Sequence, residues 1–238
     1  MVRRVSTSSE PVRRRLRVAV LLSGRGSNLK ALIDGARRPQ AGFELVGAFS
    51  DRREAPGLAF ATAAGIPVAM FEPRTFADKA AFESALFGAV ADTGAELVVL
   101  AGYMRIVSPA TVAAWHGRLI NIHPSLLPLY RGLDTHARVI ADGGSVHGAS
   151  VHYVTAELDG GPVLMQVEIS IHPTDSPESI AARLLPCEHT LLVAAVDLIA
   201  QGRVGLEGEV LNLDGKPLLR PIGSSVLEAG WVGRLDAR

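Results

Sequence analysis

From residue 17 onward, short apolar runs alternate with segments whose apolar residues recur at helical spacing. Strands are predicted for the runs RVAVLL, FELVGAFS, IPVAMF and AELVVLAGY. Helices are predicted between them, over residues 28–38, Glu54–Ala64 and Phe76–Ala91. Because parallel strands are joined by crossovers that are usually helices, this alternation predicts an α/β fold with a doubly wound, mostly parallel, Rossmann-like sheet. Ligands of such sheets bind beyond the carboxyl ends of the strands.

The rhythm changes after the strand pattern RLINIH. Two longer strand patterns, VHGASVHYVT and GPVLMQVEISI, are separated by the turn AELDGG, which predicts antiparallel pairing. The longest predicted helix is Ser176–Ala200, with capping residues at Asp175–Ser176 and an acidic first turn. The pattern EGEVLNLDGKPL predicts a terminal hairpin that turns at Asp214–Gly215. We therefore expect a single domain over residues 17–238 with antiparallel strands in its C-terminal part.

Residues 1–16 are rich in Arg and Ser and lack an apolar segment, so they do not resemble a secretory signal. They are predicted to be a disordered extension, with a nucleic-acid or lipid-binding arm as the alternative. Over the whole chain, 24 basic residues balance 24 acidic ones, which argues against nucleic-acid and membrane partners and favours small substrates. The longest apolar stretch, Leu191–Ala200, is interrupted by Asp197. A single cysteine, Cys187, suits a reducing compartment, and a cytoplasmic protein is expected.

The first predicted strand is followed by the turn SGRGSN, Ser23 to Asn28. Its glycines allow the backbone to approach a ligand, and the following helix presents unpaired N–H groups, so a phosphate site is predicted. A dinucleotide fingerprint is an alternative, but Leu29 occupies the third glycine position and Asp51 lies 27 residues after Gly24 instead of about 20. A tight turn without a ligand is the other alternative.

Asn121 and His123 lie two residues apart at the end of a predicted strand, so their side chains should point to the same side. A histidine at such a position is often purely structural. The acidic turn ELDGG favours a catalytic role for His123, because a carboxylate beside an imidazole favours the protonated ring and fixes its orientation. Asp159 is the predicted carboxylate, and Glu157 is its rival in the same turn.

Other chemistries have weaker support in the sequence. His147 and His152 are separated by an odd number of residues in a predicted strand and should face opposite sides, and there is no HExxH or CxxC pattern. No catalytic metal is therefore expected. A serine hydrolase is also disfavoured, because Ser125 lacks the GxSxG context of a nucleophile elbow.

Four stretches carry a family resemblance: VAVLLSGRGSNLKALID, VVLAGYMRIVSP, LINIHPSLLP and HGASVHYVTAELDGGPVLMQ. Together they closely resemble the glycinamide ribonucleotide formyltransferases, the folate-dependent family of purine biosynthesis. The similarity runs from about Arg17 to Leu218, with the motifs in the family's order. It implies the formyltransferase fold and transfer of a formyl group from 10-formyltetrahydrofolate, a co-substrate, to the amine of glycinamide ribonucleotide. It also implies a cytoplasmic enzyme that uses no metal.

The resemblance assigns roles to residues by position. The family's catalytic trio is matched by Asn121, His123 and Asp159. Its ribonucleotide site is matched by Gly26, Ser27 and Asn28 in the phosphate turn and by Glu188. Its folate site is matched by Lys79, Met104, Arg105, Ile106, Val107 and Asn121; the backbone of residues 104–107 corresponds to the segment that reads the pterin ring.

The loop PLYRGLDTH departs from the family pattern at Leu129, Arg131 and Asp134. Its YRG element leans toward methionyl-tRNA formyltransferase, which shares the trio and the folate donor but carries a C-terminal nucleic-acid-binding domain. Formyltetrahydrofolate hydrolase would have an extra N-terminal regulatory domain. Glycinamide ribonucleotide is therefore the expected acceptor, and a tRNA-type enzyme, a hydrolase and a non-catalytic phosphate-binding module are the alternatives. Sequence does not fix the oligomeric state, for which a homodimer is one candidate.

Overall fold

The computed structural model of the protein describes residues 14–225. The disordered extension predicted for residues 1–16 falls outside the described part up to residue 13. Its last residue, Leu16, is not part of an extension, because it is the first residue of strand β1 and pairs with Phe43. The first predicted strand thus begins one residue earlier than the sequence pattern indicated.

Eleven strands are formed within the described residues. They are β1 (Leu16–Leu22), β2 (Phe43–Ser50), β3 (Val68–Met70), β4 (Leu97–Leu100), β5 (Leu119–His123), β6 (Val146–Tyr153), β7 (Val163–Ser170), β8 (Val204–Glu207), β9 (Val210–Leu213), β10 (Lys216–Pro217) and β11 (Ile222–Ser225). Eight of them form the central sheet in the order β11-β7-β6-β5-β4-β1-β2-β3. β6 is antiparallel to both neighbours, and the other pairs are parallel. The predicted mostly parallel sheet with an antiparallel C-terminal part is confirmed.

The part of the chain between residues 14 and 225 forms six α-helices: α1 (Ser27–Ala36), α2 (Leu58–Ala63), α3 (Lys79–Asp92), α4 (Pro109–Ala114), α5 (Thr135–Ala141) and α6 (Pro177–Ala200). Strand β1 shows how the two faces are used. Val18, Val20 and Leu22 pack into the core beneath α1 and α6, whereas Ala19 and Leu21 pack into a second core with α3. A strand that buries both faces reads as a continuous apolar run, as RVAVLL does.

Two helices begin later than predicted. α2 begins at Leu58 instead of Glu54 because Pro56 disfavours helical geometry at the residue before it. α3 begins at Lys79 instead of Phe76, since the Asp78 carboxylate accepts the Ala81 N–H at 2.8 Å and caps the helix there. Helices α4 and α5 were not predicted.

The C-terminal hairpin is confirmed. β9 and β10 pair antiparallel, and Asp214 and Gly215 have φ values of 51° and 75°, the left-handed geometry that tight hairpin turns require. Two further elements were not predicted. β8 adds a third strand to this small sheet, and β11 returns to the central sheet to pair parallel with β7.

Helix α6 is long and apolar enough, by length and mean hydropathy, to cross a membrane, although its sequence contains Asp197. Within the protein its apolar side chains serve the core instead. Ile180, Leu184 and Leu192 are fully buried, and the helix packs against β6 and β7. The buried face of α6 thus forms part of the core beside β6 and β7.

Candidate active site

The carboxyl ends of four neighbouring parallel strands lie at one edge of the sheet. β1 leads into the Gly-rich turn at Ser23, β2 ends beside Asp51, β4 leads into residues 103–107, and β5 ends at His123. Functional groups of doubly wound sheets gather at this edge. Residues that follow these four strands are far apart in sequence but lie at the same edge, because the strands are neighbours in the sheet.

The structure brings the predicted trio together through the pairing of β5 with β6. Asn121 lies opposite His152, and its Nδ2 is 3.1 Å from His152 Nε2. His123 Nδ1 is 3.5 Å from Asp159 Oδ2, and His152 Nε2 is 3.6 Å from Asp159 Oδ1. The Asp159 carboxylate thus lies between the imidazoles of His123 and His152, and the His152 imidazole is hydrogen-bonded to Asn121.

Asp159 reaches this position because the connection between β6 and β7 folds tightly back over the strands. Asp159 itself has φ 49°, and a Cβ at Gly161 would lie 1.9 Å from the Tyr153 carbonyl oxygen, so only glycine fits there. The Asp159 side chain is 9% exposed, and its Oδ2 also accepts the Gly132 N–H at 2.9 Å. A buried carboxylate with several donors is a stable, oriented negative charge.

Hydrogen-bond partners determine the tautomer of His152. Its Nδ1 lies 3.0 Å from the Tyr153 carbonyl oxygen, which can only accept, so Nδ1 carries the proton. Burial lowers the pKa of His152 to about 4, so the ring is neutral near pH 7 and Nε2 is an acceptor. Asn121 must therefore donate through Nδ2, which fixes the orientation of its amide.

The same reasoning applies to His123, which is 6% exposed. Its Nε2 lies 3.0 Å from the Tyr130 carbonyl oxygen and donates to it. Nδ1 is then the nitrogen that faces Asp159. When Nδ1 is protonated, both nitrogens of the ring are donors and the carboxylate compensates the charge.

Glu157, the rival carboxylate, points away from the imidazoles. It forms an ion pair with Arg131 and its side chain is 66% exposed. This pair and the Asp159–Gly132 hydrogen bond join the acidic turn to the loop that departs from the family pattern. In that loop Tyr130 and Asp134 have positive φ, and Asp134 precedes α5 directly.

The predicted phosphate turn has the required form. Gly26 precedes α1 with φ 73°, no side chain caps the helix, and the first intrahelical bond runs from the Lys30 N–H to the Gly26 carbonyl. The N–H groups of the first turn are therefore available to a ligand. A Cβ at Gly26 would lie 2.4 Å from the Gly57 Cα, so the close packing of this turn also requires glycine.

Glu188 of α6, which the resemblance assigns to the ribonucleotide site, lies beside this turn. Asn28 Nδ2 donates to Glu188 Oε2 at 3.2 Å, across 160 residues of sequence. Asn28 Oδ1 is buried without a partner among the described residues, and burial raises the pKa of the Glu188 carboxyl. The turn and α6 thus form one polar site in which the Asn28 Oδ1 is an acceptor without a donor among the described residues. Its residues are Gly26, Ser27, Asn28 and Glu188.

A cavity extends from the predicted folate segment to two members of the trio, Asn121 and Asp159, whereas His123 does not line it. The cavity lies between residues 103–107 and the turn at 154–159, and its lining includes Arg105, Ile106, Val107, Asn121, His152 and Asp159. Met104 and Lys79 do not line it. Met104 is 64% exposed, and Lys79 lies on α3, where its Nζ is 3.6 Å from a Glu83 carboxylate oxygen.

Sequence reasoning missed the role of His152, which it considered only as a metal ligand. The available signal was the antiparallel pairing of RLINIH with VHGASVHYVT, but sequence did not fix the register that sets His152 opposite Asn121. Within residues 14–225 no cluster of three or more His, Cys, Asp or Glu side chains is arranged to hold a metal ion.

Comparisons with known proteins agree with one another. The formyl transferase family model matches residues 16–196. Phosphoribosylglycinamide formyltransferase of Escherichia coli is 40% identical over 203 residues, which are 85% of this chain and 96% of that protein. The solved structure of the enzyme of that name from Coxiella burnetii is 42% identical, with a TM-score of 0.82 over 86% of this chain and 96% of the other. The bovine trifunctional purine biosynthetic protein adenosine-3 is 37% identical over 193 residues, 81% of this chain and 19% of that protein.

Proposed function

The chain belongs to the formyl transferase family. We propose a mechanism by which its residues transfer a formyl group from 10-formyltetrahydrofolate to the amine of glycinamide ribonucleotide. Its activity is that of a glycinamide ribonucleotide formyltransferase of purine biosynthesis. The observation that carries the mechanism is the buried Asp159 carboxylate between His123 and His152, with the Asn121 amide held at the same cavity. A cytoplasmic location accords with this role.

The reaction needs groups that stabilise charge and move a proton. The acceptor amine attacks the formyl carbon, a tetrahedral centre with a negative oxygen forms, and the bond to N10 of the folate then breaks. One N–H of Asn121 is used by His152, so the other is free to donate to this oxygen. Removing one such donor typically costs about 3 kcal/mol of transition-state stabilisation.

His123 supplies the second donor and the transferable proton. Its Nε2 is occupied by the Tyr130 carbonyl, so Nδ1 is the reacting nitrogen. In the charged ring the Nδ1 proton is shared between Asp159 and the developing oxygen, and it passes to N10 as that nitrogen departs. The amine loses the proton that restores the ring, so the proton count balances over one turnover.

The ribonucleotide is assigned to the turn before α1. Its phosphate has only acceptors and would take the N–H groups of the first helical turn, around Ser27. Sugar hydroxyls are donors, and they suit the unused Asn28 Oδ1 and the Glu188 carboxyl. This division places the negative end of the substrate on the helix terminus and its hydroxyls beside α6.

The folate is assigned to the cavity beside residues 104–107. Ile106 and Val107 line this cavity, and the apolar side chains of Met104 and Ile106 are 64% and 61% exposed. Exposed apolar groups next to a few convergent polar groups are typical of a site for a small molecule with a flat ring and polar edges. Lys79 does not line the cavity, and its assignment to the anionic part of the folate rests on the family resemblance alone.

The test is an assay of the purified protein with 10-formyltetrahydrofolate and three acceptors: glycinamide ribonucleotide, water and methionyl-tRNA. We expect transfer to the ribonucleotide to exceed both other reactions by at least about a hundredfold, a difference of roughly 3 kcal/mol in activation free energy. Deformylation at an unchanged rate without the ribonucleotide would identify a hydrolase. Faster transfer to tRNA would also overturn the proposal.

A further inference from the structure

Asp51 carries a buried charge that the mechanism above does not use. It directly follows β2, and its side chain is 5% exposed. Sequence analysis singled it out only for its spacing from Gly24, as the acidic residue of a dinucleotide site. Buried carboxylates are costly unless they are paired and hydrogen-bonded, so the partners of Asp51 indicate what the charge does.

The partners come from two segments assigned to different substrates. Ser23 Oγ donates to Asp51 Oδ1 at 2.5 Å, and Ser23 begins the ribonucleotide turn. Arg105 Nε donates to Asp51 Oδ2 at 2.9 Å, and Arg105 belongs to the folate segment. One carboxylate oxygen of Asp51 is thus bonded to the ribonucleotide turn and the other to the folate segment.

A third hydrogen bond fixes which groups donate and which accept in this chain of hydrogen bonds. The Met104 N–H donates to Ser23 Oγ at 2.9 Å, so the Ser23 hydroxyl accepts from the folate segment and has its own proton left for Asp51. A carboxylate accepts only, which makes this direction obligatory. The Arg105 guanidinium also lies over the Phe82 ring, 5.5 Å from its centroid, and this contact restricts the side chain further.

We propose that Asp51 is a positioning residue that fixes the backbone of residues 104–107 against the ribonucleotide turn, and so sets the affinity for folate. The inference rests on the proposed function for the identity of the ligand, but the chain of hydrogen bonds is independent of it. Asp51 has no contact with the trio and does not itself line the cavity; it reaches the cavity only through Arg105. Its loss should therefore weaken folate binding and leave the chemical step nearly unchanged.

Asp51→Asn is the most direct variant because it keeps the size of the side chain. An amide has an oxygen on one side only, so either Ser23 or Arg105 loses its acceptor. We expect the Kd for tetrahydrofolate to rise about tenfold, in the range of one hydrogen bond to a charged group. At saturating substrates kcat should stay within about twofold, and the Kd for glycinamide ribonucleotide should change less than the folate Kd.

Two further variants separate positioning from a general loss of stability. Glu44→Gln removes the ion pair of Glu44 with Arg17, at the opposite ends of the same two strands, and should leave folate affinity unchanged. Ser23→Ala breaks the chain at its middle atom. Combined with Asp51→Asn, it should cost much less than the sum of the two single effects, because both variants interrupt the same chain.

Amide hydrogen exchange of the ligand-free protein provides a readout that does not depend on the proposed function. Exchange at Met104 should accelerate in Asp51→Asn and not in Glu44→Gln. Unchanged exchange and an unchanged folate Kd in Asp51→Asn would overturn the inference, as would an equal effect of Glu44→Gln. Wild-type protein that fails to bind tetrahydrofolate would instead overturn the proposed function while the exchange result stood.

Discussion

At the scale of single residues, the site depends on which nitrogen of each imidazole carries a proton. His152 is neutral, donates from Nδ1 to the Tyr153 carbonyl and accepts at Nε2 from Asn121. If its ring were charged, Nε2 would donate to Asp159 and compete with His123 for the carboxylate. The neutral state of His152 therefore supports both the amide orientation and the His123–Asp159 pair.

This assignment predicts different effects for two substitutions of His152. His152→Phe removes the acceptor and frees the Asn121 amide to rotate, so we expect kcat to fall about tenfold or more, with smaller changes in both substrate affinities. His152→Gln keeps a side-chain oxygen that can accept from Asn121 and should retain more of the activity. Steady-state kinetics of both folded variants check this, and equal losses would show that His152 only fills space.

The sequence alone predicted Asn121, His123 and Asp159 as the trio, because strand parity and a Gly-rich acidic turn are local signals. It favoured Asp159 over Glu157 but contained no contact that explains the choice. That distinction depends on Arg131, which pairs with Glu157, and on the Gly132 N–H, which holds Asp159. Both partners lie in a loop more than twenty residues away, and their approach is set by tertiary structure.

At the scale of elements, the turn between β1 and α1 combines a binding site with tight packing. Gly26→Ala would place a Cβ 2.4 Å from the Gly57 Cα at a residue with φ 73°. We expect it to lower the free energy of unfolding by about 1–3 kcal/mol and to raise the Kd for the ribonucleotide. Gly24→Ala is the matched control for stability, since its Cβ would meet nothing within 4 Å. Denaturant unfolding of both variants tests this, and equal stabilities would contradict it.

Helices with strong local signals were predicted, and those without were not. Ser176 caps α6 in a reciprocal pair with Ser179, and the sequence predicted this start correctly. The sequence also marks the start of α4, where Ser108 is followed by a proline at the first helical position. The helix has only six residues, too few to show a helical pattern of apolar residues. α5 begins after Asp134 in a left-handed conformation, and β11 pairs with a strand more than fifty residues earlier. Neither has a local pattern that predicts it.

At the scale of the whole molecule, buried histidines set its stability in acid. Burial lowers the pKa of His147 and of His152 to about 4, and His147 Nε2 lies 2.9 Å from His136 Nδ1. The unfolded chain binds protons at these rings near pH 6.5, whereas the folded chain does so only near pH 4. Stability should therefore be retained above about pH 6.5 and decrease as the pH falls toward 4.

His147→Gln tests this dependence. Between about pH 6.5 and 4 the variant should lose stability less steeply than the wild type, by up to about 1.4 kcal/mol per pH unit, because one fewer proton is taken up on unfolding. Its absolute stability at pH 7 does not enter the comparison. Urea unfolding at several pH values gives the slopes, and equal slopes would show that His147 does not contribute.

The central claim is that a buried carboxylate, not a neighbouring exposed one, supports the imidazole that carries out formyl transfer. Asp159→Asn removes the charge beside His123 and His152 with little change in shape, whereas Glu157→Gln removes the exposed rival that pairs with Arg131. The measurement is kcat for formyl transfer to glycinamide ribonucleotide in both variants, together with the Kd of each substrate. We predict that kcat falls about a hundredfold or more in Asp159→Asn with both Kd values nearly retained, and that Glu157→Gln keeps most of its activity. An unchanged kcat in Asp159→Asn, or an equal loss in Glu157→Gln, would contradict the mechanism.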